Sequence, residues 1–484
     1  MNAGATAGEV TPAAADRLKP RTLVITSLGY FMVILDTTAK NVALPDIGKD
    51  LHATVGGLQW VVDGYLLVFA SLLLTAGALS DRYGARRLFA VGLSIFGAGS
   101  VLSAVARTPG ELIAGQLVAG VGGALATPSS LALLSVTFTE PKERGRAFGL
   151  WATVAGAGTA SGPLIGGLLV TLFGWQSVFL INIPVVAVGL WLVRRWLPPS
   201  KRNPERALDI PGQVAGVAAL GALTYGVITA GEHGWSSTSV LVSLVGAAVA
   251  GALFIAIELR SSAPMFPLRL LRSARLSSSV FAGSAINFGT YSQMFLLALY
   301  FQTARGYGAL QTGVAELPMT ALCVLLPSVA GRVVGKYGPR RPLAFGLAAM
   351  SVGALCLSGL SLDTSYGWAV PGLLITGAGM AFSIPAVAAA AMTGVNPSEA
   401  GAASGVLNTA RQVGGVLGVS VLGTVVGASI GTELRLALII TAVVQIVGAL
   451  AAWIGLRTVA VPQAAAKETP VAASQKADPA PARN

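Results

Sequence analysis

Charged residues are scarce in this chain of 484 residues. Asp, Glu, Lys and Arg make up 11% of it, and hydrophobic residues make up 54%, whereas ordinary soluble domains carry about 25% charged residues. This scarcity excludes a soluble globular protein. A membrane-spanning α-helix needs about 20 mainly apolar residues, and fourteen such stretches occur between residues 22 and 456. The sequence therefore predicts an all-α polytopic membrane protein.

Several chemical signatures are missing as well. The two cysteines, Cys323 and Cys356, lack the spacing of a metal or redox site, and the two histidines lie in different loops. The chain has no Gly-x-x-x-x-Gly-Lys-Ser/Thr motif and no cluster of His, Asp or Ser with catalytic spacing. We therefore expect no enzyme activity, no catalytic residues, no metal and no cofactor. Any active transport would draw its energy from an ion gradient.

The two ends of the sequence differ in composition from the spans. Residues 1–20 lack the apolar core and cleavage site of a signal peptide, so the first span is expected to remain as an anchor. Residues 458–484 are rich in Ala and Pro. We expect segments 1–21 and 458–484 to be disordered and cytoplasmic.

Most of the 32 Lys and Arg residues fall in loops on one side of the membrane when fourteen spans alternate. The loops of the other side contain only Lys49, Arg107, Arg305 and Arg435. Because cytoplasmic loops hold the excess of Lys and Arg, both termini are predicted to be cytoplasmic, in a bacterial inner (plasma) membrane. This topology explains the net charge of +12. The expected partners are the lipid bilayer and a small-molecule substrate, without nucleic acid, and we expect a monomer.

An internal repeat groups the spans. Segment 77–87, after the second span, matches segment 331–341, after the tenth, in its Gly, Tyr-Gly and paired Arg positions. Two six-helix bundles are predicted from it, at 22–195 and 261–457, with two extra transmembrane helices in a linker at 196–260. Repeats of this kind place substrate sites at their interface, near the bilayer midplane.

Ionisable side chains lie inside several spans. Each costs roughly 2.5–3.5 kcal/mol near mid-bilayer, which makes it a candidate functional residue. Asp36 is the first candidate for proton coupling, followed by Asp63 and Glu316. Asp63 and Glu316 are near the ends of their spans, so acids in a half-solvated vestibule are an equal alternative. For the deeper Arg411, binding or charge pairing is favoured.

The first span holds both Asp36 and Lys40. Helical side chains lean toward the N-terminus, and an acid four residues before a base is the favoured order of an ion pair. A mutual pair is therefore predicted, with Lys40 snorkelling outward as the alternative. If the pair forms, proton exchange at Asp36 requires that Lys40 move away or that a substrate displace it.

Five segments carry a family resemblance that covers nearly the whole chain. The Gly-x-Leu-x-Asp-Arg-x-Gly loop at 77–84, the Gly- and Pro-containing run at 158–167 and segment 35–45 resemble the major facilitator superfamily. With segments 174–184 and 408–415, the chain is similar to its fourteen-span drug:proton antiporters, which include methylenomycin-type resistance exporters. The resemblance implies two six-helix bundles plus two inserted helices, alternating access, and proton-coupled efflux of small amphipathic compounds such as antibiotics.

The loop after the second span is implied to act as a conformational switch. The resemblance assigns this role to Gly77, Asp81 and Arg82. Ala85 replaces a residue that is usually basic in the family, which leaves Arg86 or the arginine after it to supply the charge.

The fifth span has its own switch motif. Gly158, Gly162 and Gly166 lie four residues apart on one helix face, where they allow close approach of a neighbouring helix. Pro163 removes a backbone hydrogen bond and bends the helix. In the resemblance, this motif marks exporters rather than importers; tight packing alone is the alternative.

Two departures from the family concern the fourth span and the first span. The family usually has Arg where this chain has Gln116, and usually has an apolar residue where this chain has Lys40. We interpret Lys40 as a relocated cation. The candidate substrate-cavity residues are Asp36, Lys40, Gln116, Asn287, Tyr291, Asn408 and Arg411, with helix packing as an equal alternative for the polar and aromatic ones.

Two other functions remain open from sequence. A proton-coupled importer or uniporter of a polar or anionic metabolite is the nearer one, and the motif in the fifth span argues against it. A non-transporting membrane sensor is more remote, because a sensor has no need of ionisable groups within its spans.

Overall fold

Helices make up almost all of the computed structural model, which describes residues 12–457 except 201, 206, 263, 397–398 and 428–429. No β-strand occurs in this described part, so the predicted all-α architecture is confirmed. The helices, in chain order, are α1 Pro12–Asp50, α2 Val55–Tyr83, α3 Ala85–Ala104, α4 Pro109–Thr137, α5 Pro141–Phe173, α6 Ser177–Trp196, α7 Ile210–His233, α8 Thr238–Arg260, α9 Ala274–Leu299, α10 in two segments, Ala309–Leu325 and Pro327–Tyr337, α11 Arg340–Leu357, α12 Ala369–Met392, α13 Ala400–Val426 and α14 Ile430–Gly455.

Twelve of these helices are long and apolar enough to cross a membrane, and the bent helix α10 raises the number to thirteen. The remaining helix, α9, has 26 residues, which is enough for a span, but it is rich in Ser, Thr, Asn and Gln. The fourteen predicted spans thus have fourteen helical counterparts, while the number that crosses the bilayer stays a prediction.

Helix α1 begins at Pro12, within segment 1–21, which the sequence predicts to be disordered. The Ala-rich stretch that follows Pro12 has high helix propensity and extends the first span backwards. Residues 1–11 lie outside the described residues, as does the predicted disordered tail 458–484.

The repeat seen in the sequence has a geometric counterpart. Gly84, after α2, has φ of 94°, and Gly338, after α10, has φ of 74°. Only Gly adopts such positive values readily, so both repeats end their helix with the same turn. Helices α1–α6 pack together, as do α9–α14, and the inserted helix α7 packs against α2 and α13 of the two halves.

The two halves meet along two pairs of helices, α5 with α10 and α2 with α13. Gln59 Nε2 donates to Ser420 O at 2.8 Å, and Gln302 Nε2 donates to Val42 O at 2.7 Å. Both hydrogen bonds lie toward the end of the bundle opposite the loops that carry Arg82 and Arg340. We call the arginine-containing end the basic side; the halves are joined near the other end.

Candidate functional site

Two charged side chains lie side by side within α1. Lys40 Nζ is 3.8 Å from Asp36 Oδ2, and the two side chains are 0% and 1% exposed. Helices α4, α5 and α6 pack against α1, so the ammonium has no route to solvent. The structure therefore places Lys40 in a buried pair with Asp36 rather than in an outward snorkelling position.

The Lys40 ammonium is held by two further groups. Its Nζ donates to Gln116 Oε1 of α4 at 2.7 Å, and Gln116 Nε2 donates to Ser103 Oγ at 2.9 Å. The ammonium also lies 4.0 Å from the centroid of the Tyr65 ring, a cation–π distance. Gln116 and Lys40 are thus in direct contact, which is the geometry expected if Lys40 brings its charge to a place where the family has Arg.

Asp36 is held from the opposite direction. Asn182 Nδ2, from α6, donates to Asp36 Oδ1 at 2.7 Å and lies 3.2 Å from Ser100 Oγ. Sequence reasoning quoted Asn182 only as part of a motif and missed it as a site residue. The sequence could have pointed to Asn182, because an asparagine inside an apolar span needs a buried hydrogen-bond partner.

Asp63, from α2, completes the group of side chains that we call the acid–lysine cluster, consisting of Asp36, Lys40, Asp63, Gln116 and Asn182. Asp63 is 0% exposed, and neither carboxyl oxygen has a hydrogen-bond partner within the described chain. In this conformation Asp63 is therefore buried rather than half-solvated, and Lys40 is the charged residue that influences it.

Glu316 lies in the other half, on the first segment of α10. It is 0% exposed, and both carboxyl oxygens lack hydrogen-bond partners within the described residues. The structure does not bring it into the acid–lysine cluster. In the described part of the chain, no group of three or more His, Cys, Asp or Glu could hold a metal ion.

A second polar group, the arginine cluster, consists of Asn287, Tyr291, Arg411 and Gln412. Arg411 Nε donates to Asn287 Oδ1 at 3.3 Å, and Asn287 Nδ2 donates to Gln412 Oε1 at 3.0 Å. Tyr291 lies beside Arg411. Asn408 is half-buried one helical turn before Arg411. Asn287, Tyr291 and Arg411, three of the residues predicted to line the cavity, thus meet here. Gln412 belongs to the same cluster, although the sequence did not single it out.

Aromatic side chains connect the two clusters. Tyr30 stacks on Trp151 with ring centroids 3.8 Å apart and planes at 4°. Tyr30 lies close to Arg411 and Tyr291, and Tyr65 lies close to both tyrosines. Charged groups thus occur in both halves, and aromatic side chains lie between them. Sequence reasoning missed Tyr30 and Trp151, because aromatic residues in spans are usually ordinary packing residues.

The glycine face of α5 packs directly on α1. A Cβ atom at Gly158 would lie 3.1 Å from Phe31 O, and one at Gly166 would lie 2.6 Å from Ala39 O. On its other side, α5 packs on α10, where the Pro163 carbonyl contacts Gly313. Helix α5 thus connects the helix that carries Asp36 and Lys40 to the opposite half.

Gly162 offers a direct test of this packing. A Cβ atom there would lie 2.7 Å from Thr38 Cβ and closer still to the Thr38 hydroxyl. We expect Gly162→Ala to lower the free energy of unfolding by about 1–3 kcal/mol through overpacking, measured as a lower thermal midpoint in detergent. Gly149→Ala, on the same helix, is the control, since its Cβ would meet no atom within 4 Å. Equal midpoints for the two variants would contradict the packing assignment.

The junction of α2 and α3 contacts the end of α6 and the chain that follows it. Asn203 N donates to Asp81 O at 2.9 Å. Arg86 N donates to Ser200 Oγ at 3.0 Å, and Arg86 Nη2 donates to Arg194 O at 3.2 Å. These contacts hold the loop against its own half and the linker.

Two further predicted switch residues lie at the basic end of α2. A Cβ atom at Gly77 would meet no atom within 4 Å. The Arg82 guanidinium lies 5.7 Å from the centroid of the Tyr83 ring. The surroundings of Gly77 are therefore open in this conformation.

Comparison with known proteins gives a consistent result. The family model described as Major Facilitator Superfamily matches residues 26–419. Multidrug resistance protein Stp of Mycobacterium tuberculosis (strain CDC 1551 / Oshkosh) is 37% identical over 420 residues, covering 87% of this chain and 78% of the relative. Methylenomycin A resistance protein of Streptomyces coelicolor is 34% identical over 454 residues, covering 93% of this chain and 95% of the relative.

A solved structure of a bacterial homologue of the human drug peptide transporters PepT1 and PepT2 is similar in fold. The TM-score is 0.60 at 14% sequence identity, and the match covers 90% of this chain and 98% of that chain. At this identity the likeness concerns the fold alone.

Proposed function

Because the chain belongs to the major facilitator superfamily, and is thus a transporter rather than an enzyme, we propose that it exports small amphipathic compounds such as antibiotics in exchange for protons. The observation that carries this proposal is the acid–lysine cluster, where Asp36 and Lys40 form a buried pair and Asp63 on α2 is buried as well. Buried ionisable groups in a membrane protein typically mark ion or proton pathways. The resistance functions named in its relatives support the export direction.

In this proposal the basic side and both chain termini face the bacterial cytoplasm, as the distribution of Lys and Arg predicts. The structure then corresponds to the state that is open to the cytoplasm. In this proposal the opening begins at the level of Gly77, Gly149 and Gly331, where a Cβ atom would meet no atom within 4 Å, while the halves still touch one turn deeper, where a Cβ at Gly405 would lie 2.5 Å from Leu74 Cδ2. Closing the basic side would bring neighbouring helices into that space, with Gly77, Asp81, Arg82 and Arg86 at the moving end.

Tyr30, Trp151 and the arginine cluster line the substrate cavity in this proposal. The stacked pair Tyr30 and Trp151 supplies apolar and aromatic side chains beside this space, and Tyr291, Asn287 and Arg411 offer polar contacts. Apolar and aromatic lining with a few polar groups is typical of small-molecule sites. Such a cavity fits compounds that combine a ring system with a polar or charged group.

The coupling proton binds at Asp63 in this proposal, while Asp36 remains the partner of Lys40. Asp36 has Lys40 and Asn182 to stabilise its negative charge, whereas Asp63 has no hydrogen-bond partner in the described chain. A buried carboxylate without partners is strongly disfavoured. Loss of the Asp63 proton therefore draws Lys40 toward α2, and its return releases Lys40 to Asp36. This movement links protonation to the packing of α1, α2 and α4.

Inside-out vesicles with an acidified lumen and an internal pH dye test the proposed function. Compounds from a panel of cationic, anionic and zwitterionic antibiotics are added one at a time, and an exported compound should release lumenal protons and relieve the dye quenching. Vesicles that contain the Asp36→Asn/Asp63→Asn double variant serve as the control. Transport of a compound at a rate that is unaffected by the pH gradient would exclude proton coupling, and transport in the opposite direction would favour an importer.

A further inference from the structure

A groove of about 510 Å³ opens on the outer surface of the second half, toward the basic side. The second segment of α10, together with α11 and α12, forms its walls. The lining is apolar except near the end of α10, where Tyr337 and Arg341 contribute polar groups. Phe345, in the wall, is 66% exposed, so the groove is accessible from the surrounding bilayer.

The same place in the first half is closed. There, apolar side chains of α2, α3 and α4 pack into a cluster that includes Leu79, Leu88, Ile95, Val121 and Leu125. The matching glycine contacts of the two halves, Gly92 with Gly122 O and Gly346 with Gly379 O, align α4 with α12. The counterparts in the second half are Val333, Pro342, Ala349, Ala378 and Phe382.

Four of these five counterparts are smaller, and all five line the groove. The helix path differs too, because α10 bends by 49° between Leu325 and Pro327, whereas α2 continues as a single helix to Tyr83. Pro327 supplies the physical reason, since proline cannot donate the helical hydrogen bond. The groove thus results from smaller side chains at four positions of the second half and from the bend in α10.

Two neighbouring arginines at the basic end of the groove differ in their contacts. Arg340 Nε donates to Trp453 O at 2.9 Å, and its guanidinium lies 4.0 Å from the Trp453 ring centroid. Arg341 lines the groove, and it pairs with no acidic side chain in the described part of the chain. Lys336 lies 5.2 Å from the Tyr337 ring centroid at the same end. An apolar groove that ends at Arg341, with Lys336 on the neighbouring helix end, is complementary to an anionic amphiphile.

We propose that this groove binds an anionic phospholipid, with one acyl chain along Val333, Ala349 and Phe382 and the headgroup phosphate on Arg341. Arginine binds phosphate oxygens through two parallel N–H groups, and cations at helix ends lie at the level of lipid headgroups. The site is separate from the substrate cavity, and its occupation does not depend on which compound is transported.

Native mass spectrometry of the purified full-length protein tests this site. The protein is titrated with phosphatidylglycerol and, separately, with phosphatidylcholine of identical chains. The wild type should retain one phosphatidylglycerol under activation that removes phosphatidylcholine. Arg341→Gln should weaken phosphatidylglycerol binding about tenfold, as expected for the loss of one charge-assisted contact. Ala349→Ile/Ala378→Val, which copies the residues of the closed first half, should exclude the acyl chain of both lipids.

Arg87→Gln is the matched control, because Arg87 occupies the position of Arg341 in the other repeat. It should bind phosphatidylglycerol as the wild type does. Equal retention of the two lipids by the wild type, equal weakening in Arg87→Gln and Arg341→Gln, or full retention in the groove-filling variant would overturn the proposal. The groove-filling variant keeps the test decisive if Arg341→Gln does not fold, and the readout is lipid retention, which does not depend on transport activity.

Discussion

Replacing Asp63 by Asn should reduce gradient-driven export to the rate that remains when the gradient is collapsed. The substitution keeps the size of the side chain but removes the carboxyl group that we propose as the site of the coupling proton. Asp63 is fully buried and lacks hydrogen-bond partners in the described chain, so its ionised form has little to stabilise it, and the asparagine cannot take up or release a proton. The measurement is the initial rate of substrate entry into inside-out vesicles, with and without a protonophore.

Three companion measurements locate the proton. Asp63→Glu retains a carboxyl group and should retain part of the coupling. Glu316→Gln should have a smaller effect than Asp63→Asn, since Glu316 lies in the other half and outside the acid–lysine cluster. Counterflow without a gradient should persist in Asp63→Asn. If gradient-driven export instead survives in Asp63→Asn and disappears in Asp36→Asn, then Asp36 binds the coupling proton.

Replacing Lys40 by Met should destabilise the protein by about 3–5 kcal/mol, the usual cost of breaking a buried pair by removing one partner. Methionine fills a similar volume, so the loss reports the charge rather than a cavity. The Lys40 and Asp36 side chains are 0% and 1% exposed, and water cannot replace the missing ammonium. Thermal unfolding in detergent measures the effect, which should be larger at alkaline pH, where Asp36 is ionised, than at acid pH.

A double-variant cycle separates the ion pair from general packing. Asp36→Asn alone leaves a buried ammonium, whereas Asp36→Asn/Lys40→Met removes both charges. The double variant should regain most of the stability lost in Lys40→Met, because replacing a whole buried pair by neutral groups is often close to neutral. Additive losses in the cycle would show that Asp36 and Lys40 do not interact. The double variant should still lack normal coupling, which would distinguish stability from transport.

The sequence was sufficient for features that depend on composition and local pattern. Long apolar runs predicted the helices, because the bilayer penalises unsatisfied backbone groups everywhere along the chain. The spacing of Asp36 and Lys40 predicted their contact, since a helix fixes the positions of residues four apart. The repeat at 77–87 and 331–341 predicted the relation between the halves.

Only the tertiary structure brought Gln116, Asn182 and Asp63 to the same pair of charges. These residues come from α4, α6 and α2, and the rotation of each helix about its axis is decided by packing against its neighbours. A periodic pattern cannot supply that rotation in spans that are apolar on nearly every face. The sequence by itself therefore determined that costly charges lie within the membrane, whereas helix packing determined which polar groups from other helices surround them.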